Sequence, residues 1–273
     1  MASPQPELSF WGHLDALRAV VIKIAAVVLT LTVAYFAAMP WIFNHVITAP
    51  CSGDFILYRA MASLGGGDGA LLPAMGAADF NVQLINIELA SQFMVHMSAS
   101  MWAAFVTAFP IVIYLLWTFI APGLYPHEKR GARGAFAWGN AMFYIGMGAG
   151  YFLVFPLALR FLADYRLSDK IANTVSLTSY MDTFYTILLA MGILFELPIA
   201  AWLLGKAGIL RRSFFRKYRR HAIAALLVAA GILTPTSDIF TLLIVFLPVY
   251  ALWEGSALLI PKDKPAHTET ATA

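Results

Sequence analysis

Six stretches of this 273-residue chain run apolar for close to the thickness of a bilayer: 19–43, 97–118, 136–160, 181–205, 218–233 and 239–258. A spanning helix needs about 20 predominantly apolar residues. The chain is 60% hydrophobic and only 12% charged, where soluble folds carry about 25% charged residues. It lacks the polar surface to hide six such segments from water. In lipid every backbone N–H and C=O must be satisfied inside the segment, and short apolar runs of this kind achieve that as helices. The pattern predicts one all-α integral membrane domain, residues 1–260, with six transmembrane helices. The fifth and sixth are short. At 1.5 Å per residue the fifth rises about 24 Å against a hydrocarbon core of about 30 Å. Both read as spans, with a buried, non-spanning hairpin as the alternative.

Orientation follows from lysine and arginine, which accumulate on the cytoplasmic side of a membrane. With the amino terminus inside, the inner segments hold Arg18, Lys23, Lys129, Arg130, Arg133, Lys206, Arg211, Arg212, Arg216, Lys217, Arg219, Arg220, Lys262 and Lys264. The outer segments hold only Arg59, Arg160, Arg166 and Lys170. The asymmetry predicts both termini in the cytoplasm. Lys23, one turn into the first helix, snorkels back to the inner interface. The first outer loop, about 44–96, is long and contains the turn-rich run Leu64-Gly-Gly-Gly-Asp-Gly69, and its later part is expected to cover the outer face. The polar tail 261–273 is expected to be disordered. No cleavable signal peptide is expected, because the start from Met1 to Trp11 is polar.

Several function classes lack their parts. The single cysteine, Cys51, excludes an internal disulfide and a cysteine metal site. His13, His45, His96, His127, His221 and His267 show no H-x-x-x-H pairing, so no metal is expected. No nucleophile–base pair is visible, so the chain does not read as an enzyme, and no cofactor is expected. A net charge of +3, gathered between the spans, gives no reason to expect a nucleic-acid partner.

Four features carry the remaining information. Gly146-Met-Gly148-Ala-Gly150 lies mid-span with the wrong spacing for a nucleotide loop, and it reads as small residues that let helices approach. Pro110, Pro156, Pro198 and Pro248 fall within spans and predict kinked helices that leave one face hollow. Glu196 sits inside the apolar run 185–204. A carboxylate at mid-membrane costs about 2.5–3.5 kcal/mol on insertion scales, which marks it as a polar site inside the membrane. On the inner side, Trp117-Thr-Phe119-Ile-Ala-Pro122-Gly-Leu124-Tyr125-Pro-His127-Glu128 joins an aromatic, apolar patch to one carboxylate. An interfacial aromatic belt is its plain reading. The amphipathic start His13-Leu14-Asp15-Ala16-Leu17-Arg18 brings a second carboxylate to the same side, with an interfacial anchor as its plain reading.

Taken together and in this order, these residues resemble the TatC family, the core of the twin-arginine protein translocase. The likeness runs from Phe10 to about Trp253. It includes His13-Leu14…Leu17-Arg18, Thr48-Ala-Pro50, Trp117-x-Phe119-Ile-Ala-Pro122-x-Leu124-Tyr125-x-x-Glu128, Phe143-Tyr-x-Gly146, Phe152-x-x-Phe155-Pro156, Phe195-Glu196-x-Pro198 and Leu233-Thr234-Pro235…Asp238. The resemblance implies a cup-shaped, six-helix receptor in the bacterial cytoplasmic membrane. It implies binding of twin-arginine signal peptides at the inner face through Glu128, Phe119, Pro122, Leu124, Tyr125, His13, Asp15 and Arg18. It also implies assembly, in homo- and hetero-oligomers, with the single-span partners TatA and TatB, and export of folded proteins driven by the proton-motive force. Thr234, Pro235 and Asp238 are expected at the partner-helix contact. The family carries a second glutamate between His-Leu-x and Leu-Arg. Here that position is Ala16, and Asp15 lies one residue earlier, about 100° away around a helix. The rival reading is a secondary transporter or channel that uses Glu196 as an ion or proton site.

Overall fold

A computed structural model describes residues 10–64, 80–121, 126–166, 168, 170, 173–206, 209–233 and 239–260. Helix α1 (Phe10–Ile42) starts nine residues ahead of the apolar run and passes into a π-helical turn at Phe43–Ile47. A 3₁₀ turn (Ala49–Cys51) and the short α2 (Ile56–Leu64) follow. Next come β1 (Leu84–Ile85), α3 (Ser91–Ile120) and α4 (Pro126–Ala149). A second π-helical turn (Gly150–Val154) leads directly into α5 (Phe155–Asp164). After β2 (Val175–Ser176), α6 (Leu177–Leu194) and α7 (Leu197–Lys206) form one interrupted span. The chain closes with α8 (Arg212–Lys217), α9 (Arg219–Leu233) and α10 (Ile239–Leu259).

Four of these runs are long and apolar enough to cross a membrane: Leu14–Cys51, Ser91–Ile120, Arg133–Asp164 and Leu177–Lys206. Helices α9 and α10 are shorter, at 15 and 21 residues. Pro110 and Pro248 lie inside continuous helices, as does Pro40, which the sequence reading passed over. Pro156 follows a π turn, and Pro198 follows the break between α6 and α7.

The chain forms two compact units. The first comprises Met1–Ala141 and Arg166–Tyr185, and the second Met142–Tyr165 and Thr186–Ala273. In the first unit α1 packs along α3. The inward stripe of α3 consists of small residues, Ala99, Ser100, Ala104 and Ala108, so the backbones approach closely. Polar contacts fix their register. Tyr35 Oη lies 2.7 Å from Thr107 Oγ1, and the His96 ring stacks on Phe36 at 4.0 Å while its Nε2 sits 2.8 Å from the Phe36 carbonyl. The opposite face of α1, with Leu29 and Val33 both exposed, is apolar. In water that surface is untenable, and in lipid it is the ordinary exterior.

The connecting segment of this unit is tied down by backbone pairing. Ser52 bridges Asn81, the Val82 amide donates to the Cys51 carbonyl at 3.0 Å, and the buried Tyr58 hydroxyl donates to the Pro50 carbonyl at 3.2 Å. The Tyr180 hydroxyl donates to the Ile47 carbonyl, which joins α6 to the π turn. A two-residue parallel ladder pairs Leu84 with Val175 and Ile85 with Ser176. This ladder departs from an all-α expectation; two residues are too few to leave a period in the sequence.

In the second unit close approach depends on glycine. A Cβ at Gly146 meets the Met191 carbonyl oxygen at 2.5 Å and the Phe195 Cβ at 2.7 Å, and one at Gly192 meets the Phe143 ring at 2.8 Å. At Gly150 the nearest atoms are 3.3 Å away, and at Gly148 nothing lies within 4 Å. Gly146 and Gly150, one helical turn apart, are therefore the packing pair, and Gly148 faces elsewhere. Farther along, Phe215 of α8 is buried with Ala201 and Ile260, and its ring centroid lies 4.6 Å from that of Trp253.

Candidate functional site

The aromatic end of α3 and the first turn of α4 form the inner-loop candidate. Phe119 is half-buried two residues before Ala121, which closes α3. The Trp117 ring, near the end of α3, packs on Phe136, the eleventh residue of α4, at 5.2 Å. Pro126 opens α4, where its fixed φ and missing N–H are harmless, and Glu128 is the third residue of that helix. A carboxylate in a first helical turn is favoured by the helix dipole. Pro122, Leu124 and Tyr125 lie outside the described residues, and Glu128 is placed by its backbone alone.

The amino-terminal candidates lie on the first turns of α1, continuous with its membrane-crossing part. Asp15 and Arg18 are exposed and three residues apart, and so share a face; His13 is placed by its backbone alone. Thr234, Pro235 and Asp238 lie outside the described residues.

Glu196 occupies the break between α6 and α7. Pro198 has no amide to donate back into α6, so the helix cannot continue regularly through it. The chain compensates locally. The Glu196 amide donates to the Ile193 carbonyl at 3.0 Å, and the amides of Ile199 and Ala200 donate to the Glu196 carbonyl at 3.1 and 2.9 Å. The side chain is half-buried, and its Oε1 is buried with no hydrogen-bond partner among the described residues. Three other buried polar atoms share that condition: Trp102 Nε1, Asn140 Oδ1 and Trp253 Nε1. Asn140 went unnoticed in the sequence because a lone amide in an apolar helix carries no pattern.

The sequence reading also missed a polar cluster in the second unit. Arg219 donates from Nε and Nη2 to the two carboxylate oxygens of Glu254, both at 2.7 Å, and the Tyr250 hydroxyl donates to Glu254 Oε1 at 2.8 Å. This two-pronged pair joins the start of α9 to α10. Its signal was present as a tyrosine four residues before a glutamate in an apolar helix, but the partner lies 35 residues away.

Comparison with known proteins follows the same course. A family model described as Sec-independent protein translocase protein (TatC) matches residues 12–248. The Sec-independent protein translocase protein TatC of Blattabacterium sp. subsp. Periplaneta americana is 29% identical over 256 residues, covering 94% of this chain and 96% of that one. The protein of the same name from Escherichia coli (strain K12) is 33% identical over 171 residues, covering 63% of this chain and 66% of that one. A crystal structure of the twin arginine translocase receptor TatC in DDM superposes with a TM-score of 0.67 at 26% identity, covering 91% of this chain and 99% of that one. The chain belongs to the TatC family: it is a multi-pass membrane receptor subunit of the Sec-independent protein translocase and not an enzyme.

Proposed function

We propose that this receptor crosses the bacterial cytoplasmic membrane six times with both termini inside, and that it binds twin-arginine signal peptides at its cytoplasmic face. Glu128 accepts the arginine pair. Phe119, Pro122, Leu124 and Tyr125 take the adjoining apolar stretch, and His13, Asp15 and Arg18 flank it from α1. The receptor then gathers TatA and TatB, with Thr234, Pro235 and Asp238 at the partner-helix contact. It supports export of folded proteins driven by the proton-motive force. The observation that carries this reading is one acidic residue in the first turn of α4, the helix that follows the aromatic end of α3 and that Trp117 of α3 touches farther along at Phe136. Two arginines next to an apolar stretch need such a pairing of carboxylate and groove. The forked guanidinium bonds a carboxylate through two parallel hydrogen bonds, which lysine cannot reproduce.

Site-specific photocrosslinking tests the proposal. A crosslinker at Phe119, Glu128 or Asp15 is expected to capture a twin-arginine signal peptide, and to capture far less of one whose arginines are both lysine. Capture from none of the three positions removes the assignment. Glu196 alone favours the transporter reading, and that reading leaves the aromatic inner loop without a purpose.

A second expectation concerns Glu196. Its buried Oε1 has no hydrogen-bond partner among the described residues and can accept one from a passing helix or peptide. Glu196→Gln keeps the shape and Glu196→Ala removes it, so both variants should bind signal peptide while export falls most in the alanine variant. Normal export by Glu196→Leu, measured as passenger delivered per unit of receptor, shows that the polar group has no role in transport.

A further inference from the structure

The second unit carries a concentration of positive charge that its own acids do not answer. From Arg211 to Arg220 the sequence reads Arg-Arg-Ser-Phe-Phe-Arg-Lys-Tyr-Arg-Arg. Arg219 is occupied on two nitrogens by Glu254. Asp164, Glu196 and Glu254 are the acids of this unit within the described residues. Asp164 sits 3.9 Å from Arg160, and Glu196 lies mid-span. Arg211, Arg212, Arg216, Lys217 and Arg220 therefore have no carboxylate within salt-bridge distance among the described residues. All but Arg212 are exposed.

The local helix sorts these charges by face. Burial of Phe215 against Ala201 and Ile260 fixes which side of α8 points inward. At 100° per residue, Arg212 and Arg216 then fall on one flank, about 60° and 100° from Phe215, and Phe214 and Tyr218 on the other. That second flank is aromatic and exposed, with the two rings 4.6 Å apart. Lys217 Nζ lies 5.7 Å above the Tyr218 ring, and Lys206 Nζ lies 4.8 Å above Trp202 at the end of α7. Ile209, just ahead of the helix, is 69% exposed. A short helix with an aromatic flank, an exposed isoleucine before it and unanswered arginines on the other flank is built for the membrane–water interface.

We infer that the Arg211–Arg220 segment seats the phosphodiester headgroup of an anionic phospholipid. Arg212 and Arg216 fork onto the phosphate, and Phe214 and Tyr218, on the opposite flank, hold the helix at the membrane surface. Phosphate is the group whose geometry a guanidinium matches, and the apolar flank selects a lipid over a soluble anion or an acidic peptide. Orientation by the positive-inside rule asks only for charge on one side. It does not ask for an arginine pair one turn apart opposite two aromatic rings in contact. The orientation proposed above decides only which leaflet supplies the lipid.

The test uses the full chain in nanodiscs of phosphatidylcholine, alone or mixed with phosphatidylglycerol, with retained phosphatidylglycerol counted by mass spectrometry. R212Q/R216Q is expected to retain about tenfold less of it than the unaltered chain. K23Q/R133Q, which removes equal charge from exposed sites elsewhere, is expected to retain the normal amount. Excess inorganic phosphate should not displace the lipid. Equal loss in the two double variants, undiminished retention in R212Q/R216Q, or displacement by phosphate each overturns the site. Thermal midpoints in pure phosphatidylcholine confirm that the variants are folded. If R212Q/R216Q does not fold, R212K/R216K decides: partial retention supports the site, and full retention overturns the arginine fork. None of these readouts involves signal peptide, so they stand or fall apart from the crosslinks at Glu128.

Discussion

Glu128→Gln is expected to weaken binding of a twin-arginine signal peptide by about ten- to a hundredfold. Hydrogen bonds to a charged group contribute about 1.5–3 kcal/mol, and each 1.4 kcal/mol is about tenfold in affinity. Glutamine keeps one acceptor oxygen and nearly the same shape. It removes the charge and replaces the second acceptor with a donor that faces the guanidinium with the wrong sign. The forked contact is therefore lost while the first turn of α4 is preserved. The measurement is equilibrium binding of a fluorescent signal peptide to nanodiscs carrying equal amounts of each protein. A peptide with lysine in place of both arginines should lose less on going to the variant, because it forfeits the charge attraction but has no fork to lose. Unchanged binding of the arginine peptide to the variant means that the acceptor lies elsewhere.

Gly146→Ala is expected to destabilise the second unit by about 1–3 kcal/mol, the usual penalty for overfilling a packed interface. The added methyl meets the backbone carbonyl of Met191 at 2.5 Å, and no rotamer change moves a carbonyl held in a helix. Relief requires the two helices to separate, which costs contacts along their length. Gly148→Ala provides the contrast, since its methyl has nothing within 4 Å and alanine is the better helix former. Thermal unfolding midpoints in one detergent decide the matter. The order should be Gly148→Ala at or above the unaltered protein, Gly150→Ala slightly below, and Gly146→Ala lowest. Equal midpoints for the first and last would show that the helices do not meet at Gly146.

The membrane character and four of the long helices were legible because lipid imposes a crude requirement, length times apolarity, that residues 97–118 or 181–205 state plainly. The start of α1 was legible too, as an amphipathic helix start from Phe10 to Arg18; what the sequence did not state is that it runs unbroken into the span. The β1–β2 pairing joins residues 91 apart in register, and neither partner has enough length to show alternation. Among the site residues, Glu196 stood out because a charge is rare in an apolar run, and Pro198 gave the break. The sequence did not say that the Glu196 backbone carbonyl gathers two amides at that break, since local geometry depends on how the turn settles. Glu254 was invisible as a partner for Arg219, because ion pairing between helices is a fact about packing and not about spacing.

The π turn at Gly150–Val154 has an effect that reaches beyond its five residues. Each such turn closes its hydrogen bonds one residue later than an α-helix does, so the helix takes in one extra residue without lengthening in proportion. Around the axis, one residue corresponds to about 100°. Side chains of Phe155–Asp164 are thus out of phase with those of Phe143–Ala149 by more than a quarter of a circle. No single helical wheel describes this span, and an amphipathic plot drawn through it blurs two sharp faces into one dull one. Deleting one residue between 150 and 154 is expected to restore a regular helix and to leave everything after it near its present bearing. For this span, angle is the quantity under constraint, and length is the one that can give.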